Sequence, residues 1–384
     1  MADTGREIER LVGEVIDHGV RRVHVFAWRD LDDDDAGGSE VHADEFERRW
    51  AAAGLDIVHR TSAAVGRGAT DTRNGYRVIR RGSRYSVFPR AIAAEVTGRM
   101  GPADAVVEIW NGVPWFSPLW RRRPGITFLH HVHGPMWDQM MPAPLAGAGR
   151  FLESRLAPPF YRRSEVVTPS EATRQELIGL GLRPAHVTAV DNGVDPFFSP
   201  GGERSAAPLV VAVGRLAPVK RFALLADAVE RARHRVPDLR LRIIGEGPLR
   251  PDLQRWAAER GADWLELPGH VSRDELRDAY RSAWVVASAS LAEGWGLSLT
   301  EAAACGTPAV ASDIPAHRCS VLDGRTGVVA PVERMGDELA GLLGDHRRRE
   351  RLATHAAARA ATLTWDASTL GILRVFHRVV RTRR

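Results

Sequence analysis

Short apolar runs alternate with helical segments along almost the whole chain, in two separate series. In the first half the runs are Arg22–Trp28, Leu55–His59, Ala105–Ile109, Ile126–His130 and Glu165–Thr168. In the second half they are Pro208–Val213, Leu239–Ile244, Trp284–Ala287, Pro308–Ala311 and Gly327–Ala330. Strands separated by helices predict a parallel sheet that is covered on both faces. The predicted fold class is therefore α/β, with two doubly wound, Rossmann-like domains.

A stretch rich in glycine and proline, residues 191–207, separates the two series and is typical of a linker. The length of 384 residues also favours two domains over one. We predict an N-terminal domain over residues 1–195 and a C-terminal domain over 205–365. The helical stretch 366–384 is expected to pack back on the N-terminal domain, and a basic amphipathic membrane contact is the alternative.

Composition points to an ordinary globular protein, with 44% hydrophobic and 26% charged residues. Cys305 and Cys319 are the only cysteines, so no disulfide framework is expected. The N-terminal residues lack the apolar core of a signal peptide, and no apolar run is long enough to span a bilayer. These features predict a cytoplasmic protein, with peripheral contact at the inner face of the membrane left open.

The segment Glu293–Glu301 carries the most specific chemistry. Its order is strand, glycine loop and helix, so the backbone at Gly294, Gly296 and Leu297 is suited to a phosphate. The two glutamates can accept hydrogen bonds from hydroxyls on either side of that phosphate, as the sugar and ribose of a sugar nucleotide require. The alternative is a helix with an acidic start that is favoured by the helix dipole.

A second cluster of charge follows the strand that ends at Val213. Of 53 lysine and arginine residues, Lys220 is the only lysine, and it lies five positions after Arg215. Lysine offers a compact point charge for a phosphate, which arginine does not. The alternative is that both are ordinary surface charges.

The Glu293-x7-Glu301 spacing, together with Gly214, Arg215 and Lys220, resembles family 4 retaining glycosyltransferases. That family has the GT-B fold, in which two doubly wound domains face a central cleft. Further segments resemble the family in the same order: Thr168–Thr173, Asn192–Asp195, Ile244–Leu249, Pro268–Val271 and Asp313–His317. The resemblance covers nearly the whole chain and is firmer in its second half.

The resemblance implies that the first domain binds the acceptor and that the second binds the nucleotide sugar. It implies that Glu301 binds the ribose hydroxyls and that Glu293 contacts the donor sugar. Arg215 and Lys220 would stabilise the leaving diphosphate without a metal ion. The loop at Gly269 and His270 would lie near the base.

In the N-terminal domain, the resemblance brings the backbone at Gly37 and Gly38 to the diphosphate, since glycine permits close approach. An ordinary flexible turn is the alternative. The family also carries a cleft histidine near the donor sugar. His133 fits that position best and His130 is its rival, whereas His131 completes a cluster in which at least one histidine is expected to be structural. A zinc site is disfavoured because no distant acidic or cysteine ligand pattern accompanies the cluster.

Two charged stretches in the first domain have less specific interpretations. Asp32–Asp35 superficially resembles the metal-binding motif of the other glycosyltransferase fold, but a solvated acidic loop is preferred. The basic stretch Arg73–Arg90 is interpreted as a solvated face. The alternative is a surface that contacts an anionic acceptor or membrane headgroups. The stretch matches no recognised nucleic-acid motif.

The resemblance therefore implies retaining, metal-independent transfer of a hexose from a UDP-, GDP- or TDP-linked sugar. The acceptor would be a hydroxyl of a glycan, a lipid or a secondary metabolite, and no cofactor beyond the donor substrate is expected. A non-catalytic sugar-nucleotide-binding protein is the main alternative. A dinucleotide-dependent hydride transferase is disfavoured because no G-x-G-x-x-G follows either first strand. A phosphorylase would need a pyridoxal lysine, and only Lys220 is present.

Overall fold

A computed structural model describes residues 2–382 of the chain, which divides into two compact units. Unit 1 comprises Met1–Gly193 with Trp365–Arg384, and unit 2 comprises Val194–Thr364. Residue 1 of the predicted first domain, and residues 383 and 384 of the predicted terminal helix, lie outside the described residues. Most of the predicted linker, residues 191–207, belongs to unit 2, where Phe198 is buried in the core.

Unit 1 is built on a sheet of eight strands within the described residues, in the order β3-β4-β2-β1-β5-β6-β7-β8. Neighbouring strands are parallel except in the β3–β4 hairpin. Every residue of β5 and β6 is buried, as a parallel sheet covered on both faces requires. The strands are β1 (Arg22–Phe26), β2 (Asp56–Thr61), β3 (Thr70–Arg73), β4 (Tyr76–Arg80), β5 (Ala105–Trp110), β6 (Gly125–Leu129), β7 (Val166–Thr168) and β8 (Val187–Ala189).

The helices of unit 1 follow the strands in the order that the alternating pattern predicts. They are α1 (Ala2–Asp17), α2 (Gly38–Ala52), α3 (Val87–Val96), α4 (Ser117–Trp120), α5 (Trp137–Met140), α6 (Ala143–Phe151), α7 (Pro158–Tyr161) and α8 (Glu171–Gly179). Two 3₁₀ turns, Gly134–Met136 and Pro184–His186, and a π-helical turn, Leu152–Leu156, complete the unit. The start of α8 is fixed by Ser170, whose hydroxyl accepts a hydrogen bond from the backbone N–H of Thr173.

Unit 2 is built on a parallel sheet of six strands within the described residues, in the order β11-β10-β9-β12-β13-β14. The strands are β9 (Leu209–Val213), β10 (Arg240–Ile244), β11 (Leu265–Gly269), β12 (Val285–Ser288), β13 (Ala309–Ser312) and β14 (Gly327–Ala330). The helices are α9 (Phe222–Arg233), α10 (Arg250–Arg260), α11 (Arg273–Ser282), α12 (Leu297–Ala304), α13 (Pro315–Ser320), α14 (Met335–Gly344) and α15 (His346–Ala360), with 3₁₀ turns at Pro218–Lys220 and Val332–Arg334. Two parallel sheets flanked by helices confirm the predicted α/β class.

The strand order creates a reversal in each sheet. In unit 2, β9 lies between β10 and β12, so the chain leaves β9 in one direction and later returns on its other side. In unit 1, β1 lies in the same way between β2 and β5. Loops that leave such neighbouring strands diverge, and they open a crevice at the carboxyl edge of the sheet where ligands bind in α/β proteins.

The acidic loop after β1 is solvated only in part, since Asp34 is exposed whereas its neighbours are partly buried. Its carboxylates pair with arginines of β3, β4 and the turn that follows: Asp32 with Arg73 (2.6 Å) and Arg80 (2.8 Å), and Asp33 with Arg84 (2.9 Å). The interpretation of the basic stretch as a solvated face is wrong for Arg73 and Arg80, whose side chains are 12% and 1% exposed, whereas Arg84 is 39% exposed. The fold thus pairs opposite charges that lie far apart in the sequence.

The last helix, α16 (Trp365–Thr382), completes the core of unit 1. It packs against α1 and α2, and Phe376 is fully buried with its ring centroid 5.0 Å from that of Trp50. Ile372 and Leu373 are buried in the same core as β1 and β5. Asp366 accepts a hydrogen bond from Arg49 of α2 at 2.7 Å. The apolar face of α16 is therefore covered by its own unit.

We expect Phe376→Ala to lower the free energy of unfolding of unit 1 by about 3–5 kcal/mol, because it leaves a cavity in a packed core. Arg381→Ala, an exposed change on the same helix, should alter it by less than about 0.5 kcal/mol. Urea unfolding followed by circular dichroism measures both variants. Equal effects of the two changes would contradict the packing of α16 described above.

Candidate functional site

The residues singled out in the second half of the chain follow the carboxyl ends of neighbouring strands of unit 2. Gly214, Arg215 and Lys220 follow β9, whereas the loop that begins near Glu293 follows β12. Since β9 and β12 are paired and lie at the reversal of strand order, their loops emerge side by side. The fold therefore gathers residues from distant parts of the sequence at the edge where α/β sheets bind ligands.

The loop after β9 depends on glycine. Gly214 has φ +155°, and a Cβ atom there would lie 3.3 Å from Cε of Lys220. On the neighbouring loop, a Cβ on Gly245 would lie 2.2 Å from the carbonyl oxygen of Gly214, which is a direct clash. These two glycines thus allow the loops after β9 and β10 to touch. On the loop after β9, Arg215 is exposed and Lys220 is the last residue of a 3₁₀ turn.

Lys220 and Glu293 form an ion pair at this edge. The lysine Nζ donates to Oε1 of Glu293 at 2.5 Å, and the glutamate side chain is 16% exposed. Burial alone would raise the pKa of Glu293, but the Lys220 ammonium, together with His317 and Ser290, holds that pKa below its ordinary value. Glu293 is therefore a carboxylate at neutral pH, and the ammonium group of Lys220 contributes most to stabilising this ionised form.

A hydrogen-bond network orients the Glu293 carboxylate. Ser290 donates from Oγ to Oε1 of Glu293 at 2.7 Å, and the hydroxyls of Ser288 and Ser290 are 3.1 Å apart. The fully buried His317 donates from Nδ1 to the carbonyl of Ser312 at 2.9 Å, which leaves Nε2 as an acceptor 3.4 Å from Ser288 Oγ. The ion pair is thus oriented by side chains that the sequence did not single out.

The glycine loop is held by the tryptophan between its glycines. Trp295 is 2% exposed and packs into the core of unit 2, so it anchors the loop that carries Gly294 and Gly296. Gly296 has φ +104° and lies directly before α12, whose first residue is Leu297. A side chain at this position would be strained because L-residues rarely adopt that φ. The N–H groups of Leu299 and Thr300 already donate to the carbonyl of Gly296, so those of Leu297 and Ser298 are the ones that an anion can reach.

Glu301 lies further along α12 and has a different partner. The hydroxyl of Tyr280, which is fully buried, donates to Oε2 of Glu301 at 2.9 Å. Burial raises the pKa of Glu301 to about 7, against the opposing effect of Tyr280 and Arg273. The two glutamates of the segment therefore differ in charge at neutral pH, since Glu293 is ionised and Glu301 is close to half protonated.

The loop after β11 favours glycine because of its backbone conformation. Gly269 has φ +84°, a value that L-residues rarely adopt. Next to it, Arg250 donates to Oε1 of Glu246 at 2.7 Å. His270, the next residue, is exposed. The loop is thus fixed at its base and presents a histidine to solvent.

In unit 1, the glycine pair Gly37-Gly38 forms the entry to α2. The backbone N–H of Gly37 donates to Oε2 of Glu40 at 2.8 Å, and Arg29 donates to the same oxygen at 3.1 Å. Across the reversal of strand order, Asn111 after β5 donates to Oγ of Ser39 at 3.2 Å. The start of α2 is therefore tied both to the loop after β1 and to the loop after β5.

The three histidines after β6 lie in different surroundings. His130 is buried against His42 and Phe128, and burial, with His42 and His131, keeps its pKa well below the ordinary value. His131 and His133 stack with ring centroids 4.4 Å apart. Across residues 2–382, no group of three or more histidine, cysteine, aspartate and glutamate side chains is arranged to hold a metal ion. His130 is thus a neutral core histidine, whereas His133 lies in the loop.

Glu153 holds the His133 loop in place. Its carboxylate accepts hydrogen bonds from the backbone N–H of His133 at 2.8 Å, of Gly134 at 2.9 Å and from the indole of Trp137 at 3.1 Å. The Nδ1 atom of His133 lies 3.7 Å from the same carboxylate. Burial would raise the pKa of Glu153, but these hydrogen bonds and His133 lower it, so the group is a buried carboxylate.

Sequence reasoning missed several side chains that shape these loops. They are Ser288, Ser290 and Tyr280 in unit 2, and Glu40 and Glu153 in unit 1, whereas His317 entered only as the end of the segment Asp313–His317. Only Glu40 carried a usable signal, because a glutamate three residues after a helix N-cap is the second half of a capping box.

Over residues 2–382, no helix is both long enough and apolar enough to cross a bilayer.

Two family models match the chain and together span most of it. The model described as "Glycosyltransferase Family 4" matches residues 36–197, and "Glycosyl transferases group 1" matches residues 195–359. Among curated relatives, the D-inositol 3-phosphate glycosyltransferase of Kribbella flavida is 30% identical, over 91% of this chain and 92% of the relative. A second enzyme of that name, from Frankia alni, is 29% identical over 89% of this chain and 94% of the relative.

Solved structures show the same architecture at low sequence identity. Sucrose-phosphate synthase of Thermosynechococcus elongatus has a TM-score of 0.79 at 18% identity, over 94% of this chain and 100% of its own. HepE of Anabaena, solved in complex with UDP-glucose, has a TM-score of 0.70 at 16% identity, over 94% of this chain and 98% of its own. These similarities confirm the GT-B fold.

The raised pKa of Glu301 predicts a pH-dependent stability. The pKa of this carboxyl is higher in the folded than in the unfolded protein, so its protonated form stabilises the fold. This stabilisation is complete below the unfolded-state pKa and is lost as the pH rises through the folded-state pKa of about 7. Relative to Glu301→Gln, the wild-type protein should therefore lose up to about 3 kcal/mol of unfolding free energy between pH 4.5 and pH 8. Urea unfolding of both proteins at the two pH values tests this, and parallel pH profiles would contradict it.

Proposed function

This chain belongs to glycosyltransferase family 4, and on that premise we propose that it moves a hexose from a nucleotide-diphosphate sugar to an acceptor hydroxyl with retention of anomeric configuration. The chain is a glycosyltransferase with the GT-B fold. The donor, the stereochemistry and the roles of individual residues are the proposed part. The observation that carries the proposal is the ion pair between Lys220 and Glu293 beside the first turn of α12.

The ion pair supports a role in leaving-group stabilisation. As the bond from the anomeric carbon to the diphosphate breaks, negative charge accumulates on the phosphate oxygens. Lys220 supplies a fixed positive charge, Arg215 lies five residues before it, and the N-terminus of α12 adds backbone donors. This set of donors can offset the developing charge with protein groups alone, so we propose transfer that needs no metal ion.

We assign different roles to the two glutamates because their surroundings differ. Glu293, an ionised carboxylate, would accept hydrogen bonds from hydroxyls of the donor sugar and stabilise positive charge near the anomeric carbon. Glu301 would accept hydrogen bonds from the ribose hydroxyls, with Tyr280 holding its second oxygen. The leaving phosphate would take the proton of the acceptor hydroxyl, so that no separate protein base is required.

Unit 1 would supply the acceptor side of the reaction. The loop at Gly37 and Gly38 is proposed to approach the diphosphate, and His133 is proposed to approach the donor sugar. Glu153 would act on His133 only by positioning its loop, through the hydrogen bonds described above. His130 remains the rival for the same role, since both imidazoles are buried, at 6% and 5% exposed.

The names of similar proteins narrow the choice of substrates to test. HepE was solved with UDP-glucose, which makes UDP-sugars the first donors to examine, ahead of GDP- and TDP-sugars. Curated relatives named D-inositol 3-phosphate glycosyltransferase make D-inositol 3-phosphate the first acceptor. A thermal-shift comparison of UDP, GDP, TDP and ADP identifies the base, because bound nucleotide raises the apparent stability.

We expect Lys220→Ala to lower the rate of transfer by about 10²-fold or more, because it removes one preorganised positive charge. Lys220→Arg should recover only part of the rate, since guanidinium and ammonium differ in geometry. Steady-state kinetics with the donor found by thermal shift measure both variants. An exposed arginine of unit 2, changed in Arg255→Ala, is the matched control and should leave the rate unaltered.

A double-mutant cycle separates a shared role from two independent ones. Because Lys220 and Glu293 are in direct contact, Lys220→Ala combined with Glu293→Gln should lose much less activity than the product of the two single losses. Full activity in Lys220→Ala would remove Lys220 from the mechanism. Fully multiplicative losses would show that the pair does not act as a unit.

Retention predicts that an α-linked donor gives an α-linked product. Proton NMR of the anomeric signal early in the reaction distinguishes this product from the β anomer before any later equilibration. The same reaction run with excess EDTA should proceed at an unchanged rate. A β-linked first product would overturn the proposed stereochemistry, and loss of activity in EDTA would overturn metal-independent transfer.

A further inference from the structure

A helical segment of unit 1, residues 143–161, exposes apolar side chains that no part of the glycosyl-transfer proposal uses. It consists of α6, the π-helical turn Leu152–Leu156 and α7. Its inward face is made by small or partnered residues: Ala146, Gly149, Glu153, Ala157 and Tyr161, all buried. Its outward face carries Leu145 and Phe151, each 59% exposed, together with the exposed side chains of Leu156 and Phe160.

Three of the exposed apolar side chains lie around the π-helical turn. Phe151 directly precedes the turn, Leu156 ends it, and Phe160 lies four residues later in α7. We call these three side chains the apolar row. Phe160 also packs edge-on against Phe116 with ring centroids 5.7 Å apart, which fixes the end of the row.

Arginines accompany the apolar row. Residues 141–164 contain four arginines, Arg150, Arg155, Arg162 and Arg163, and a single acidic residue, Glu153. Glu153 is buried, whereas Arg155, Arg162 and Arg163 are exposed. The outward face of the segment is thus apolar and positively charged, on a protein whose formal net charge is +5.

We propose that this segment is a docking surface for an anionic phospholipid bilayer. Leucine and phenylalanine in a row with neighbouring arginines are the features of helices that lie in the membrane interface. The apolar side chains would enter the boundary between headgroups and acyl chains, and the arginines would contact lipid phosphates. An acidic protein would explain the arginines, but exposed leucine and phenylalanine side chains next to them fit lipid better. The proposal is independent of glycosyl transfer.

Co-sedimentation of the full chain with vesicles tests the proposal. We expect binding to vesicles of equal parts phosphatidylglycerol and phosphatidylcholine, and much weaker binding to phosphatidylcholine alone. Phe151→Ser with Leu156→Ser should lower the partition coefficient at least about tenfold, because two apolar side chains are lost from the bilayer interface. Arg155→Gln with Arg163→Gln should also lower it, and added salt should weaken binding of the wild-type protein.

The matched control is Val96→Ser with Leu224→Ser, which removes exposed apolar side chains from α3 and α9 instead. This variant should bind as the wild-type protein does, and circular dichroism should show native helix content in every variant. Absence of binding to anionic vesicles, equal binding to neutral ones, or equal loss in the control would overturn the proposal. Binding that salt abolishes but that Phe151→Ser with Leu156→Ser leaves unchanged would indicate a purely electrostatic contact and would overturn it too.

Discussion

The pairing of β9 with β12 is the constraint on which the unit 2 site depends. Both strands are parallel, so both end at the same edge, and their loops must emerge next to each other. That geometry brings Lys220 within 2.5 Å of Glu293 although 73 positions separate them in the sequence. The pairing of β9 with β10 explains a glycine in the same way, because a Cβ atom on Gly245 would lie 2.2 Å from the carbonyl oxygen of Gly214.

The charges at the site are set by burial and by partners acting in opposite directions. Glu293 and Glu301 are both removed from water, which by itself favours the protonated acid. Glu293 remains ionised because an ammonium group touches it, whereas Glu301 has a phenol as its partner and a pKa of about 7. Two identical side chains in one short segment thus differ in charge because their neighbours differ.

The sequence predicted much of the local structure but not the long-range pairing. The apolar runs predicted ten strands and missed β3, β4 and β8, and the glycines around Trp295 predicted the loop before α12. The ion pairs of the acidic loop, the hydrogen bond from Tyr280 to Glu301 and the support of His133 by Glu153 all join residues of different elements. Such contacts depend on strand order and on helix packing, which no local pattern contains.

The discontinuity of unit 1 affects the order in which the protein can fold during synthesis. Unit 2 is one continuous segment, so all its strands are available once residue 364 has left the ribosome. The core of unit 1 instead waits for α16, which is translated after the whole of unit 2. Until then, the apolar groups of α1 and α2 that α16 covers remain open to water or to chaperones. Unit 1 therefore begins before unit 2 but is completed after it.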